Sequence, residues 1–290
     1  MMSIGFIGFG EAAASIAIGL KEEGCGSIFC FDTMQNSPPI SEKIVAACGQ
    51  CKGTLLPSSV EVCRRAKIVF CAVPAAFAVK AAEDALEGMS NGLIYVDVTT
   101  ASPAEKKQIS RLIEARGAKF VDAAMMGTLL KDRHKVPMYL CGSGTVAFCQ
   151  EMAPYHMNLT PLEGDAGTAT SIKFIRSITA KGLSCLLFES LQAAHHFGVE
   201  ELIVESLLDS FGQGFENIIN GYVSGAIIHA QRREHEMQNV VDFLQQEELP
   251  CVMAQATREK LQWIHDIKTQ GSFKGEAARN WRDILNRWTL

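Results

Sequence analysis

Three groups of residues in this 290-residue chain have types and spacings suited to chemistry. The first is Gly8-Phe9-Gly10-Glu11-Ala12-Ala13, a G-x-G-x-x-A run. The second is Asp32, 22 residues after Gly10. The third is Lys173, with Ser177 four residues later, inside "GDAGTATSIKFIRSITAKG" (164–182), which turns from glycine and threonine into an apolar helix pattern. The glycine run is a dinucleotide cradle when a strand precedes it and a helix follows. Gly8 makes the tight turn, Gly10 has no side chain to block a pyrophosphate, and Ala13 lets helix and strand pack closely. The start of the helix offers free N–H groups and a positive dipole end to the phosphates. A carboxylate at Asp32 accepts from both ribose hydroxyls and repels a 2′-phosphate. That favours NAD and leaves NADP as the second choice, since no arginine follows in "DTMQNS". Lysine in an apolar helix is costly unless it reaches water or has a task, and proton transfer is one such task.

These residues need elements to hold them. A short apolar strand at 4–7 precedes the glycines, and a helix pattern over 12–23 follows, ending at Gly24. Further apolar strands read as "SIFCFD", "AKIVFCAVP", "GLIYVDVTT", "AKFVDAAMMG" and "VPMYLCGSG", with helix patterns at 58–65, 76–86 and 103–115. Continuous apolar strands alternating with helices specify a mainly parallel, doubly wound α/β sheet, a Rossmann dinucleotide-binding domain over 1–163. Ligands bind such sheets beyond the carboxyl ends of the strands. The candidates for cofactor contact are therefore Gly8, Phe9, Gly10, Glu11, Ala12, Asp32, Ala72, Val73, Pro74 and Thr99. Thr100, Met126, Gly127 and Thr128 end other strands and are candidates for substrate contact.

From 164 to 290 the pattern is all helix. Helices are expected at 167–196, 200–211, 215–219, 226–246, 251–269 and 276–288, broken by Gly198, Gly212, Gly214, Pro250 and Gly271. At about 100° per residue, Ser177 lies about 40°, Lys181 about 80° and Ser184 about 20° from Lys173 around the first of these helices. The four residues form one polar stripe, which is either a solvated face or the lining of a cleft. Ser177 lies about 6 Å and Lys181 about 12 Å along the axis from Lys173. His195 shares the stripe but lies about 33 Å away, too far to join one site. In "HAQRREHEM", His229, Arg232 and Glu236 share a helix face. Arg232 or Arg233 suits a substrate carboxylate or phosphate, and Arg232 with Glu236 is equally an ordinary ion pair.

Composition narrows the classes. Apolar residues make up 48% and charged residues 20%, a globular balance. The net charge of −5 comes with no basic block, so no nucleic-acid partner is expected. The apolar N-terminus lacks a basic leader and is interrupted by Glu11, and no apolar run reaches membrane-spanning length. A soluble, cytoplasmic protein is expected. The ten cysteines are scattered, which suits reduced thiols. Cys48 and Cys51 have the spacing of half a zinc site, but no second pair or nearby histidine completes it, so no metal is expected.

The chain resembles the β-hydroxyacid dehydrogenases, the family of 6-phosphogluconate and 3-hydroxyisobutyrate dehydrogenases, over essentially its whole length. The resemblance rests on "GFIGFGEAAA", "DVTTASP" (97–103), "DAAMMGT" (122–128) and "GDAGTATSIKFIRS" (164–177). The helical half looks most like a poorly characterised, phosphogluconate-dehydrogenase-like branch. The resemblance implies an NAD(P)-dependent oxidoreductase that moves hydride between the cofactor and a small hydroxyacid or oxoacid. It places the catalytic lysine at Lys173, as general acid and base, with a pKa drawn toward neutrality by partial burial. It puts Thr99 and Thr100 near the nicotinamide, and implies a homodimer formed through the helical domain. Three departures stand out: Ser177 replaces the family's asparagine, Ala169 its third glycine, and "DAAMMGT" its D-x-P-V-S-G-G loop. Met126 then stands for a serine, while Gly127 keeps an N–H and Thr128 offers a hydroxyl for a substrate carboxylate. Two rival readings use the same cofactor: a dinucleotide-binding sensor without turnover, and a C=N reductase.

Overall fold

The computed structural model describes residues 2–127, 129–269 and 280–287. Thr128 and parts of the last expected helix (276–279 and 288) lie outside the described residues. The chain forms two compact units, Met1–Lys173 and Phe174–Leu290.

The first unit is a sheet with helices on both faces. Its strands are β1 (Ser3–Ile7), β2 (Ser27–Phe31), β3 (Thr54–Leu55), β4 (Ile68–Cys71), β5 (Ile94–Asp97), β6 (Lys119–Met125), β7 (Met138–Cys141) and β8 (Leu159–Pro161). Its helices are α1 (Glu11–Glu22), α2 (Ile40–Gln50), α3 (Ser59–Arg65), α4 (Ala78–Ala85), α5 (Pro103–Glu114), α6 (Leu129–Asp132) and α7 (Thr145–Met152). The order across the sheet is β3-β2-β1-β4-β5-β6-β7-β8. Alternate strand residues supply the two cores, which is why the central strands are apolar throughout. Phe6, Phe70, Val96 and Val121 pack with Ala13, Ile16 and Leu20 of α1. Val69, Tyr95 and Phe120 pack on the other side with Val62 of α3, Ala82 of α4 and Ile109 of α5.

All neighbouring strands run parallel except β6 and β7, which pair antiparallel with Asp122 opposite Cys141. Only a short connection containing the single turn α6 separates them. A parallel crossover needs a packed helix, whereas one turn merely reverses the chain. The expected strands form, and β3, β8, α2, α6 and α7 are additions that the pattern did not signal.

The long helix α8 (Thr168–Phe197) begins in the first unit and continues into the second. The second unit also holds α9 (Glu200–Phe211), α10 (Phe215–Ile228), α11 (Ala230–Gln246), α12 (Val252–Thr269) and α13 (Trp281–Asn286). Helices expected at 215–219 and 226–246 are redistributed. One helix runs through Gly221 and Gly225, and the break falls at His229. Gly225 survives inside α10 because a Cβ there would sit 2.5 Å from the Arg233 guanidinium. Leu187, Phe188 and Leu191 of α8 pack with Val223, Trp281 and Ile284. Phe174 and Cys185 pack with Met237, Val240 and Leu261.

Candidate cofactor cleft and active-site lysine

The β1–α1 turn has the shape that its glycines suggest. Gly8 adopts φ +80°, and a Cβ there would lie 2.7 Å from Val73 Cγ1 and 2.9 Å from the Ala72 carbonyl oxygen. A Cβ at Gly10 would meet nothing within 4 Å, so the backbone is open on that side. No side chain caps the start of α1, which leaves its N–H groups and dipole available to an anion. These features fit the pyrophosphate of a dinucleotide.

Asp32 follows β2 directly. Its Oδ2 accepts from the Phe9 N–H at 2.7 Å and its Oδ1 from the Met34 N–H at 2.8 Å. The carboxylate is thus aimed by the glycine turn itself. Gly8, Gly10, Glu11, Ala12, Asp32, Ala72, Val73 and Pro74 line one cleft of about 660 Å³. Phe9 contributes only its N–H, because its side chain is buried in the core behind the turn. Thr99 is buried outside the cleft lining, its N–H bonded to Asp97 Oδ1 and its hydroxyl accepting from the Ala101 N–H. The cleft also takes in Met34, Ile40 and Phe77, three large apolar side chains left exposed. Apolar walls of this kind suit a flat base. Sequence reasoning passed over them because α2 gave no strong pattern and single exposed apolar residues are common.

A second construction, unexpected from sequence, fixes the start of α8. Lys106 of α5 is fully buried. Its Nζ lies 2.9 Å from Asp97 Oδ1, 2.9 Å from the Asp97 carbonyl oxygen and 3.4 Å from Asp122 Oδ1. Burial alone would depress the ammonium, but the Asp97 and Asp122 carboxylates outweigh it and hold its pKa above the ordinary lysine value. Asp122 also caps α8. Its Oδ2 accepts from the N–H groups of Gly167 and Thr170 at 3.1 and 3.0 Å, and its Oδ1 accepts from the Thr170 hydroxyl at 2.7 Å. The cap fixes the first turn, and Lys173 stands half-buried one turn further on. Gly167 has φ +97°, and a Cβ there would lie 2.7 Å from the Pro103 carbonyl oxygen. Ala169 is buried against Ala124 and Cys141. Asp122 therefore serves the helix rather than a ligand, although it begins the "DAAMMGT" segment. No local pattern signals this cap, because a sequence-readable N-cap directly precedes its helix and Asp122 lies 45 residues before Gly167.

The remaining candidates are spread more widely. Thr100 is half-buried beyond β5. Met126 is half-buried, and its N–H donates to the Pro137 carbonyl at 2.7 Å. Gly127 is exposed and close under Val136 and Pro137, where a Cβ would meet them at 3.1–3.2 Å. Within the helical unit, Ser177 accepts from Lys181 Nζ at 2.9 Å. Arg232 is 67% exposed with Nε 3.9 Å from Glu236 Oε1, while the neighbouring Arg233 turns inward onto Ser184. His195 is engaged by Glu200 at 3.1 Å. Cys48 and Cys51 pack with Cys30 against Gly53. Among the described residues no group of three or more His, Cys, Asp or Glu is arranged to hold a metal ion, and no helix is long and apolar enough to cross a membrane.

Residues 3–155 match the model of the NAD binding domain of 6-phosphogluconate dehydrogenase. A solved protein of unknown function, described as structurally similar to 3-hydroxyacid dehydrogenases, is 30% identical and aligns at TM-score 0.75 over 93% of this chain and 99% of its own. The chain belongs to the β-hydroxyacid dehydrogenase family. A conserved hypothetical protein of Sinorhizobium meliloti 1021 is 28% identical, with TM-score 0.79 over 99% of this chain and 95% of that one. The mitochondrial 3-hydroxyisobutyrate dehydrogenase of Drosophila melanogaster is 30% identical over 128 residues, 43% of this chain and 37% of the fly protein. Residues 194–264 match a domain of unknown function, DUF1932. Membership of the β-hydroxyacid dehydrogenase family assigns the chain a nicotinamide cofactor and an oxidoreductase role.

Proposed function

We propose that this β-hydroxyacid dehydrogenase interconverts a small hydroxyacid-type alcohol and its carbonyl, using NAD in preference to NADP and Lys173 as general acid and base. The observation that carries the cofactor choice is the Asp32 carboxylate, fixed by the Phe9 N–H at the wall of the cleft. A ribose with free hydroxyls can donate to it, and a 2′-phosphate would be repelled. Lys80, the cation lining the same cleft, is already paired with Asp84.

A nicotinamide held in this cleft would supply the hydride chemistry. The protein's own residues do the rest. Gly10 and the start of α1 take the pyrophosphate. Lys173, as a neutral amine, accepts the hydroxyl proton during oxidation. During reduction its ammonium returns that proton to the carbonyl oxygen. Ser177, one turn along α8, has a hydroxyl for the substrate or the lysine. The Gly127 N–H is the expected donor to a substrate carboxylate.

In a panel of 2- and 3-hydroxyacids and their oxo partners, read as NADH absorbance with NADP as control, Lys173→Ala should lower kcat by about 10²–10⁴-fold. NAD affinity should hardly change. Wild-type turnover in that variant would end the assignment. The fly relative's named substrate class supports starting the panel with 3-hydroxyacids.

We also infer a homodimer through the helical unit, where Ile175, Leu186, Phe197, Leu202 and Phe211 are exposed large apolar side chains. Light scattering at micromolar concentration should return twice the chain mass, and a monomer would count against it.

A further inference from the structure

We propose that α8 and α11 of the helical unit form an oxyanion-binding site, with Lys181 and Arg233 as its ligating cations. Its ligand is a phosphoryl, phosphonyl or distal carboxylate group. Assigning that group to the substrate rests on the dehydrogenase reading; the site itself does not.

Two side-chain rungs join the helices. Lys181 Nζ lies 3.2 Å from Glu236 Oε2, and Arg233 Nη1 donates to the Ser184 hydroxyl at 3.1 Å. Positions 181 and 184 ascend α8 as 236 and 233 descend α11, so the pair is antiparallel. Lys181 is almost covered, at 13% side-chain exposure. Arg233 is seated over Gly225, where a Cβ would lie 2.5 Å from its Nη2 and the guanidinium would have to shift. The Ser184 hydroxyl donates to the Tyr222 carbonyl at 2.6 Å, so it serves as a fixed acceptor that orients Arg233. Neither cation is a loose surface side chain.

The charge does not close. Three cations, Lys181, Arg232 and Arg233, gather about the Glu236 carboxylate. Its two oxygens already face Lys181 and Arg232. Arg233 donates to a neutral hydroxyl, and the charge that favours it is the same Glu236 carboxylate, shared with Lys181 and Arg232. Burial depresses the Lys181 ammonium, with Glu236 opposing the shift and Arg233 and Arg232 adding to it. Burial depresses Arg233 in the same way. His229, at the break before α11, is lowered first by burial and then by the charges of Arg232 and Arg233. Desolvated like charges held together are a standing cost that an anion converts into attraction.

Position supplies the substrate connection. Lys181 leans back along α8, as long helical side chains do, until its Nζ is 2.9 Å from Ser177 Oγ. Its charge therefore sits near one turn beyond Lys173, about 6 Å along the axis. The Ser177 hydroxyl accepts from Lys181 and keeps its own proton to donate. Ser177 thus becomes part of an anion cradle.

The test is calorimetric titration of the intact protein, without cofactor, with inorganic phosphate in one arm and acetate in the other. Saturable binding of either probe is expected, phosphate alone marking a tetrahedral group and acetate alone a carboxylate. Lys181→Met and Arg233→Met should each weaken binding by about tenfold or more. Arg233→Lys keeps the charge, loses the fork and should weaken it less; it also carries the test if Arg233→Met fails to fold. Arg232→Met should change affinity less than about threefold, since that side chain is exposed. No saturable binding of either probe, or affinities unmoved in Lys181→Met and Arg233→Lys, would overturn the site. Variant-sensitive phosphate binding without any NADH turnover would support the site and remove only the dehydrogenase reading.

Discussion

Lys106 and Lys181 are two lysines withdrawn from water in the two units of one chain, and their surroundings are opposite. Lys106 is wholly buried between two carboxylates and a carbonyl, and its ammonium is stabilised. Lys181 shares one carboxylate with two arginines, and its ammonium is destabilised. Burial by itself does not say what a lysine does; the count of charges around it does. Where acids outnumber the cation, as around Lys106, the ammonium is held charged and the network serves architecture. Where cations outnumber the acid, an anion is the group that completes it.

The largest effect separating the two should appear in stability. Lys106→Met strands two buried carboxylates and should cost about 3–5 kcal/mol in urea denaturation. Lys181→Met removes an ammonium that burial already disfavours and leaves Glu236 facing Arg232, so it should cost clearly less than Lys106→Met. Equal costs would break the contrast.

A smaller effect should appear with pH. The folded pKa of Lys106 is raised, so its contribution is complete below the ordinary lysine value of about 10.4 and is lost as pH rises through the folded value. The folded pKa of Lys181 is lowered, so its penalty is full below that folded value and disappears as pH approaches about 10.4. Urea midpoints measured into the alkaline range should therefore show wild type losing its advantage over Lys106→Met. Relative to Lys181→Met, wild type should gain. Parallel slopes would mean that the two environments do not differ in the sign proposed.

The contrast also marks what could be read from residues alone. The β1–α1 turn and Asp32 were legible because their determinants are local: a strand, spaced glycines and a second strand ending in an acid. The long helix at 167–196 was legible from sustained periodicity, and it forms as Thr168–Phe197. The reversal at β7 was not, since strand direction depends on the connection and leaves no mark on the strand. The Lys106 network was hidden because its members come from β5, α5, β6 and the start of α8. Arg232 and Arg233 could not be told apart from helical spacing, since adjacent positions differ only in which faces the neighbouring helix. The Arg233 seat over Gly225 on another helix decides that, and no local pattern records it.

The Asp122 cap has a consequence for the order in which the molecule is made. Helix α8 takes its first-turn hydrogen bonds from a strand that leaves the ribosome more than forty residues earlier. Starting a helix is its unfavourable step, because several residues must be fixed before bonds repay them. Synthesis from the N-terminus thus delivers the Asp122 carboxylate, and the Lys106 that faces it, before the segment that it caps. The first turn of α8 therefore meets a cap made earlier in the chain, and the residue that sets where Lys173 will stand is synthesised before Lys173.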